Sequence, residues 1–148
     1  MQVTRGFSFK RVNQLLGQGD RKHSVQVGFF NGATYPKRGN ITVAQVALWN
    51  EYGYNNGPER PFIRTAFRKT ANNITLIRML GREIVAGKLT MDAALNMLGR
   101  QAVTTLKESM EDFGNKRDNE PSTVARKGFN RPLFETNLMY DNVMFEKI

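Results

Sequence analysis

Residues 41–67 read ITVAQVALWNEYGYNNGPERPFIRTAF: a short apolar helix, a tight break, and the start of a second helix. Thr42 is placed to cap the first helix, because its hydroxyl can accept a bond from an orphan amide one turn on. Behind it Val43, Ala44, Val46, Ala47, Leu48, Trp49 and Tyr52 leave only Gln45, Asn50 and Glu51 polar. A helix apolar nearly all round is expected to be covered on more than one side. At about ten residues it is also too short to be stable alone in water. Gly53 stops it, since glycine enters the left-handed conformation without the Cβ penalty of about 1–2 kcal/mol.

The restart is equally legible. Pro61 suits the first turn of a helix, where its missing amide costs nothing, and it pushes Arg60 into an extended conformation. Ile63, Phe67, Thr70, Ile74 and Ile77 then recur at helical spacing, with Arg64 and Arg68 on a neighbouring stripe. Residues 54–59 form a stiff turn that brings the two helix ends together, so Glu51 and Arg60 are expected to pair across it. Glu51, Gly53 and Pro61 are the residues that shape this turn. The logic is that of a scaffold.

The remaining chain is read around this unit. Phe7, Phe9, Val12, Leu15 and Leu16 suggest a helix over residues 7–16, ended by Gly17 and Gly19. Residues 24–30, SVQVGFF, alternate and are β-branched or aromatic, which predicts a strand. Residues 31–40 are turn-rich, either a hairpin tip or an extended arm. The second helix is expected from Pro61 to about Ala86, loosened near Gly81 and stopped by Gly87. Thr90 caps a third helix carrying Met91, Leu95, Leu98, Ala102, Leu106, Met110 and Phe113 on one face, with Gly114 beyond its end. The short connection favours an antiparallel pair. Residues 115–132 read as a long polar loop with a short strand at 123–127. A helical turn capped by Thr136 follows, and residues 142–147 form a last strand. The expectation is one α+β domain over residues 1–148. It is a small, mostly antiparallel sheet packed on a short buried helix and two long helices, with long loops.

Composition narrows the function. The chain has 148 residues, no cysteine, one histidine, a formal charge of +9 and a pI of about 10.2. Disulfides and thiolate metal sites are excluded, and a histidine-based metal site is disfavoured. The amino terminus has no continuous apolar run of the signal-peptide kind, and nothing approaches a membrane span, so a cytosolic chain is expected. The positive charge suggests acidic partners, nucleic acid among them.

No nucleophile–base pair stands out. His23 sits in a basic run and reads as a solvated residue, and Glu108, Glu111 and Asp112 read as a polar helix face. GlyGlnGly at 17–19 precedes a strand and lacks the lysine of a phosphate loop. No catalytic, cofactor or metal residue is assigned, and the chain is expected not to be an enzyme. Arg60, Arg64 and Arg68 are spaced by four, as are Arg78 and Arg82. They form either a basic stripe facing phosphate or an acidic partner, or an ordinary solvated face. In the 115–132 segment Lys116, Arg117, Arg126, Lys127 and Arg131 are candidates to reach acidic surfaces, with Phe129 as an apolar anchor. Trp49 and Tyr52 read as core.

Three pieces in order carry a resemblance. They are VQVGFF from Val25, VAQVALWNEYG from Val43 followed by PERPFIRTAF from Pro58, and KGFNRPLFETNLM from Lys127. The chain resembles the tail-completion (head–tail joining, virion morphogenesis) proteins of tailed bacteriophages over about residues 25–140. Tyr52 stands for the usual Phe, and Asn137 stands where Gly is common; Asn tolerates a left-handed conformation. The resemblance implies a ring, commonly a hexamer, at the neck between the DNA-filled head and the tail. It implies contacts with other copies through the long loops, and with neighbouring neck, tail-terminator or tail-tube proteins. DNA passes nearby without being a specific ligand. The location implied is the virion, after assembly in the host cytoplasm. The alternative is a basic nucleic-acid-binding accessory protein of a phage. A small phage nuclease is a third reading, without a metal-ligand cluster to support it.

Overall fold

The computed structural model describes residues 23–30, 32–36, 39–116, 118–134 and 136–148, the side chain of Lys116 excepted. The helix expected over 7–16 lies outside the described residues. Strand β1 (Val25–Gly28) pairs antiparallel with β4 (Met144–Lys147), placing Val25 opposite Lys147 and Val27 opposite Phe145. A second antiparallel ribbon joins β2 (Thr34–Tyr35) to β3 (Ile41–Thr42), the hairpin alternative for this part of the chain. Gly39 and Asn40 take positive φ at its tip. The class is α+β as expected, but the strands form two separate two-stranded ribbons among the described residues, where one sheet was expected.

Helix α1 is Val43–Tyr52. Thr42 accepts the Gln45 amide while the Gln45 side chain accepts the Thr42 amide, a reciprocal cap that satisfies two orphan donors. Gly53 ends the helix at φ 78°. Helix α2 (Phe62–Ala71) begins one residue after Pro61, which occupies the N-cap and not the first turn. The long second helix expected to Ala86 is broken at Asn72–Asn73, and α3 (Ile74–Val85) follows. The break is at the asparagines because the Asn73 side-chain Oδ1 accepts the Leu76 amide and starts a new helix. Gly81 lies inside α3 and causes no loosening.

Helix α4 (Met91–Lys116) is capped by Thr90, whose hydroxyl accepts the Ala93 amide. Gly114 is inside it, contrary to its expected place beyond the end; a Cβ there would come within 2.9 Å of the Phe134 ring. Gly99 answers the same need, since Phe145 of β4 packs directly on its Cα. Glycine lets the ribbon and the tail segment approach α4 closely.

The 115–132 segment is not a loop with a strand. It holds α5 (Pro121–Lys127), with Pro121 at its first position and Gly128 as a left-handed cap. Proline there is a helix starter because the amide it lacks would have had no partner. Helix α6 (Leu138–Asp141) follows Asn137, which is left-handed at φ 56°. The core gathers Val43 and Ala47 of α1, Phe62 and Ala66 of α2, Leu106 and Met110 of α4, and Phe134, Met139 and Val143. Burial of a side chain the size of Phe62 contributes about 1.5–3 kcal/mol. The fully buried Ser109 hydroxyl donates to the Phe62 carbonyl at 2.8 Å and fixes α2 against α4.

Candidate interaction surface

Two stripes of α1 decide what the surface offers. Val43, Ala47 and Glu51, spaced by four, face inward and are buried. Ala44, Leu48 and Tyr52, one residue on, face outward and are exposed. The expectation that α1 is covered on more than one side is therefore not met among the described residues: Leu48 is 54% and Tyr52 59% exposed. Tyr54, also exposed, stacks on Trp49 with ring centroids 4.5 Å apart, extending the apolar strip past the helix end.

The edge of this strip is rigid. Glu51, only 2% exposed, aims its carboxylate at the start of α2 and accepts the amides of Ile63 at 2.8 Å and Arg64 at 3.0 Å. A carboxylate over these orphan donors also meets the positive end of the helix dipole. Arg64 closes the arrangement. Its Nε donates to Glu51 Oε1 at 2.8 Å, and Nη2 donates to the Glu51 carbonyl and to Glu59. Its guanidinium also lies 5.0 Å over the Tyr52 ring. Hydrogen bonds to Glu59 first and Glu51 second raise the Arg64 pKa further above its ordinary value.

The expected Glu51–Arg60 pair is not formed. Arg60 runs back along the end of α1 and donates its amide to the Asn50 carbonyl at 2.7 Å and Nη1 to Asn50 Oδ1 at 3.0 Å. Burial lowers its pKa, with the Glu120 charge acting in the opposite sense. Arg60 thus stands before the helix, Arg64 is held by two carboxylates, and Arg68 is exposed in the last turn of α2. The three arginines do not make one uniform stripe.

Arg60, Arg126 and Lys127 are instead brought to one hollow of about 330 Å³, walled by Trp49, Tyr54 and Tyr35. Lys127 donates to the Arg131 carbonyl and lies over the half-exposed Phe129 ring, while Arg131 covers Phe134 at 3.8 Å. Arg117 and the side chain of Lys116 lie outside the described residues. His23 is exposed. No group of His, Cys, Asp or Glu among the described residues is placed to hold a metal, and no described helix is long and apolar enough to cross a membrane.

Sequence reading missed the outer stripe. Its signal was present: positions 44, 48 and 52 repeat by four beside 43, 47 and 51, but an all-apolar helix reads as wholly buried. Asn50 was also missed, because its role depends on the path of Arg60 after the turn. Comparison with protein-family models, with curated proteins and with solved structures finds no match.

Proposed function

We infer that this chain is a structural protein of a bacteriophage neck, forming a ring that completes the tail and joins it to the DNA-filled head. The observation that carries the reading is the outward stripe Ala44, Leu48 and Tyr52, continued by Tyr54, on a helix pinned in place by Glu51 and Arg64. An uncharged apolar strip beside a rigid turn is what a permanent protein contact needs. The occupant is a neighbouring copy of the chain. The phage-neck assignment itself rests on the resemblance of residues 25–140 to tail-completion proteins. The hollow holding Arg60, Arg126 and Lys127 supplies a cationic rim suited to acidic neighbours, which steers docking more than it tightens it.

The test is localisation. Particles are made in a host whose phage carries an epitope after Ile148, a residue 51% exposed at the end of β4. Antibody label at the head–tail junction supports the reading. Absence of the chain from purified particles contradicts it.

A further inference from the structure

A second apolar surface lies away from α1. Val25 and Val27 of β1, Phe67 of α2, Ile77 of α3, and Leu98 and Ala102 of α4 line a groove of about 300 Å³. Two of its lining residues are open to solvent, Phe67 at 70% and Ile77 at 48% exposed, and Ile74 on the same helix as Ile77 is 53% exposed. Helix α3 buries only Leu80, so its apolar spacing is unexplained by contacts among the described residues. A hollow of this size holds about two ring-sized groups, since a cavity of ~150 Å³ takes one benzene.

The described residues enter β1 next to this groove. Ser24 is clamped to Ile148 by backbone bonds of 3.2 and 3.0 Å, and Val25, the next residue, is already a wall of the groove. Before it come 22 residues outside the described structure. They carry Phe7, Phe9, Val12, Leu15 and Leu16, the apolar positions of the 7–16 segment. Residues 17–24 reach at most about 26–29 Å, so the segment cannot travel far from β1. Tethering gives it an effective concentration on the order of millimolar at the groove. We propose that this groove is the docking site of the apolar side chains of residues 7–16 of the same chain. Their removal from water there covers the faces of α2 and α3 that the other described residues leave open. The inference holds whether or not the chain assembles into a ring.

The absence of native cysteine makes the test direct. Full-length chains carrying Leu16→Cys or Val12→Cys together with Leu98→Cys are treated, dilute, with a short bis-maleimide. The products are separated by mass into links within one chain and links between chains. The expected result is an intramolecular product at least about fivefold above that of Leu16→Cys with Gln45→Cys, whose second site is exposed on α1. Methyl NOEs in the unsubstituted full chain, from Leu15 and Leu16 to Ile77 and Leu98, check the same contact without any substitution. Equal yields from the two pairs overturn the proposal, as does a set of NOEs that never joins the segment to the groove. Links formed mainly between chains also overturn it, and assign the groove to a second copy.

Discussion

The Glu51 carboxylate and Arg64 meet twice: through the side chain, Nε to Oε1 at 2.8 Å, and through the Arg64 backbone amide at 3.0 Å. One buried acid thereby fixes both the start of a helix and the arginine that shields it. Glu51→Ala is expected to cost about 3–5 kcal/mol, because it strips buried donors of an ionised acceptor. Arg64→Gln is expected to cost less, since the two backbone amides still satisfy the carboxylate. In a double-mutant cycle on denaturant midpoints, Glu51 should couple to Arg64 and not to Arg60. Stronger coupling to Arg60 would refute the geometry.

Two glycines of the long helices should respond in opposite directions. Gly81 has open space around its Cα, so Gly81→Ala should stabilise by about 0.5–1 kcal/mol. Gly99 has the Phe145 ring where a Cβ would go, with the nearest atoms below contact distance. Gly99→Ala should therefore destabilise by about 1–3 kcal/mol through overpacking. Thermal or denaturant unfolding of the pair reads both signs.

Those glycines also mark where sequence reading stopped. Helix α1 was legible because its signals are local: Thr42 and Gln45 at one end, Gly53 at the other. Gly114 was read as a terminator because the ring of Phe134 that requires it comes from twenty residues later in the chain. Pro121 was read as a loop residue when its position made it a helix start. Asn72 and Asn73 split a helix whose apolar spacing runs straight through them. The fate of Glu51 was half legible: its role at the turn was plain, but its partner depended on which way the chain left Pro61.

Helix α5 should be the least protected helix. It has seven residues and buries none of them. Amides of residues 124–127 are expected to exchange much faster than those near Leu106 and Met110 in α4. If this segment, with Phe129, docks on assembly, exchange there slows in the particle. Equal exchange in the free and assembled states would remove it from the interface.

Tyr140 offers a pH signature. Its hydroxyl donates to Glu111 Oε1 at 2.6 Å, and this bond, then burial and the Glu111 charge, raise its pKa above the ordinary value of about 10. The folded chain holds the phenolic proton more tightly than the unfolded one. Its contribution is thus full below about pH 10 and lost as pH rises through the higher folded value. Phenolate absorbance should show one tyrosine ionising last, a step removed by Tyr140→Phe and lowered by Glu111→Gln. Persistence of that step in Tyr140→Phe would contradict the assignment.

The basic charge should keep the free chain small. With +9 at neutral pH, light scattering at low salt is expected to give a monomer or small oligomer; on the proposed neck function the ring then forms only on a partner. A stable ring at micromolar protein without a partner would reverse this order. Tight DNA binding that falls steeply with salt, and is abolished by charge reversal of the exposed Arg68, Arg78 and Arg82, would favour the nucleic-acid accessory reading.

The account turns on the outward stripe of α1, and tail joining by a Leu48→Asp, Tyr52→Asp chain tests it most directly. Both sites are more than half exposed, so the fold should survive, with a change within about 0.5 kcal/mol at Leu48 and about 1 kcal/mol at Tyr52, which loses the Arg64 contact. The chain is supplied to a phage lacking its own copy, and joined particles are counted by electron microscopy. The account predicts separate heads and tails with the variant, and normal particles with Arg100→Asp at an exposed site of α4. Normal joining by the double variant would contradict it.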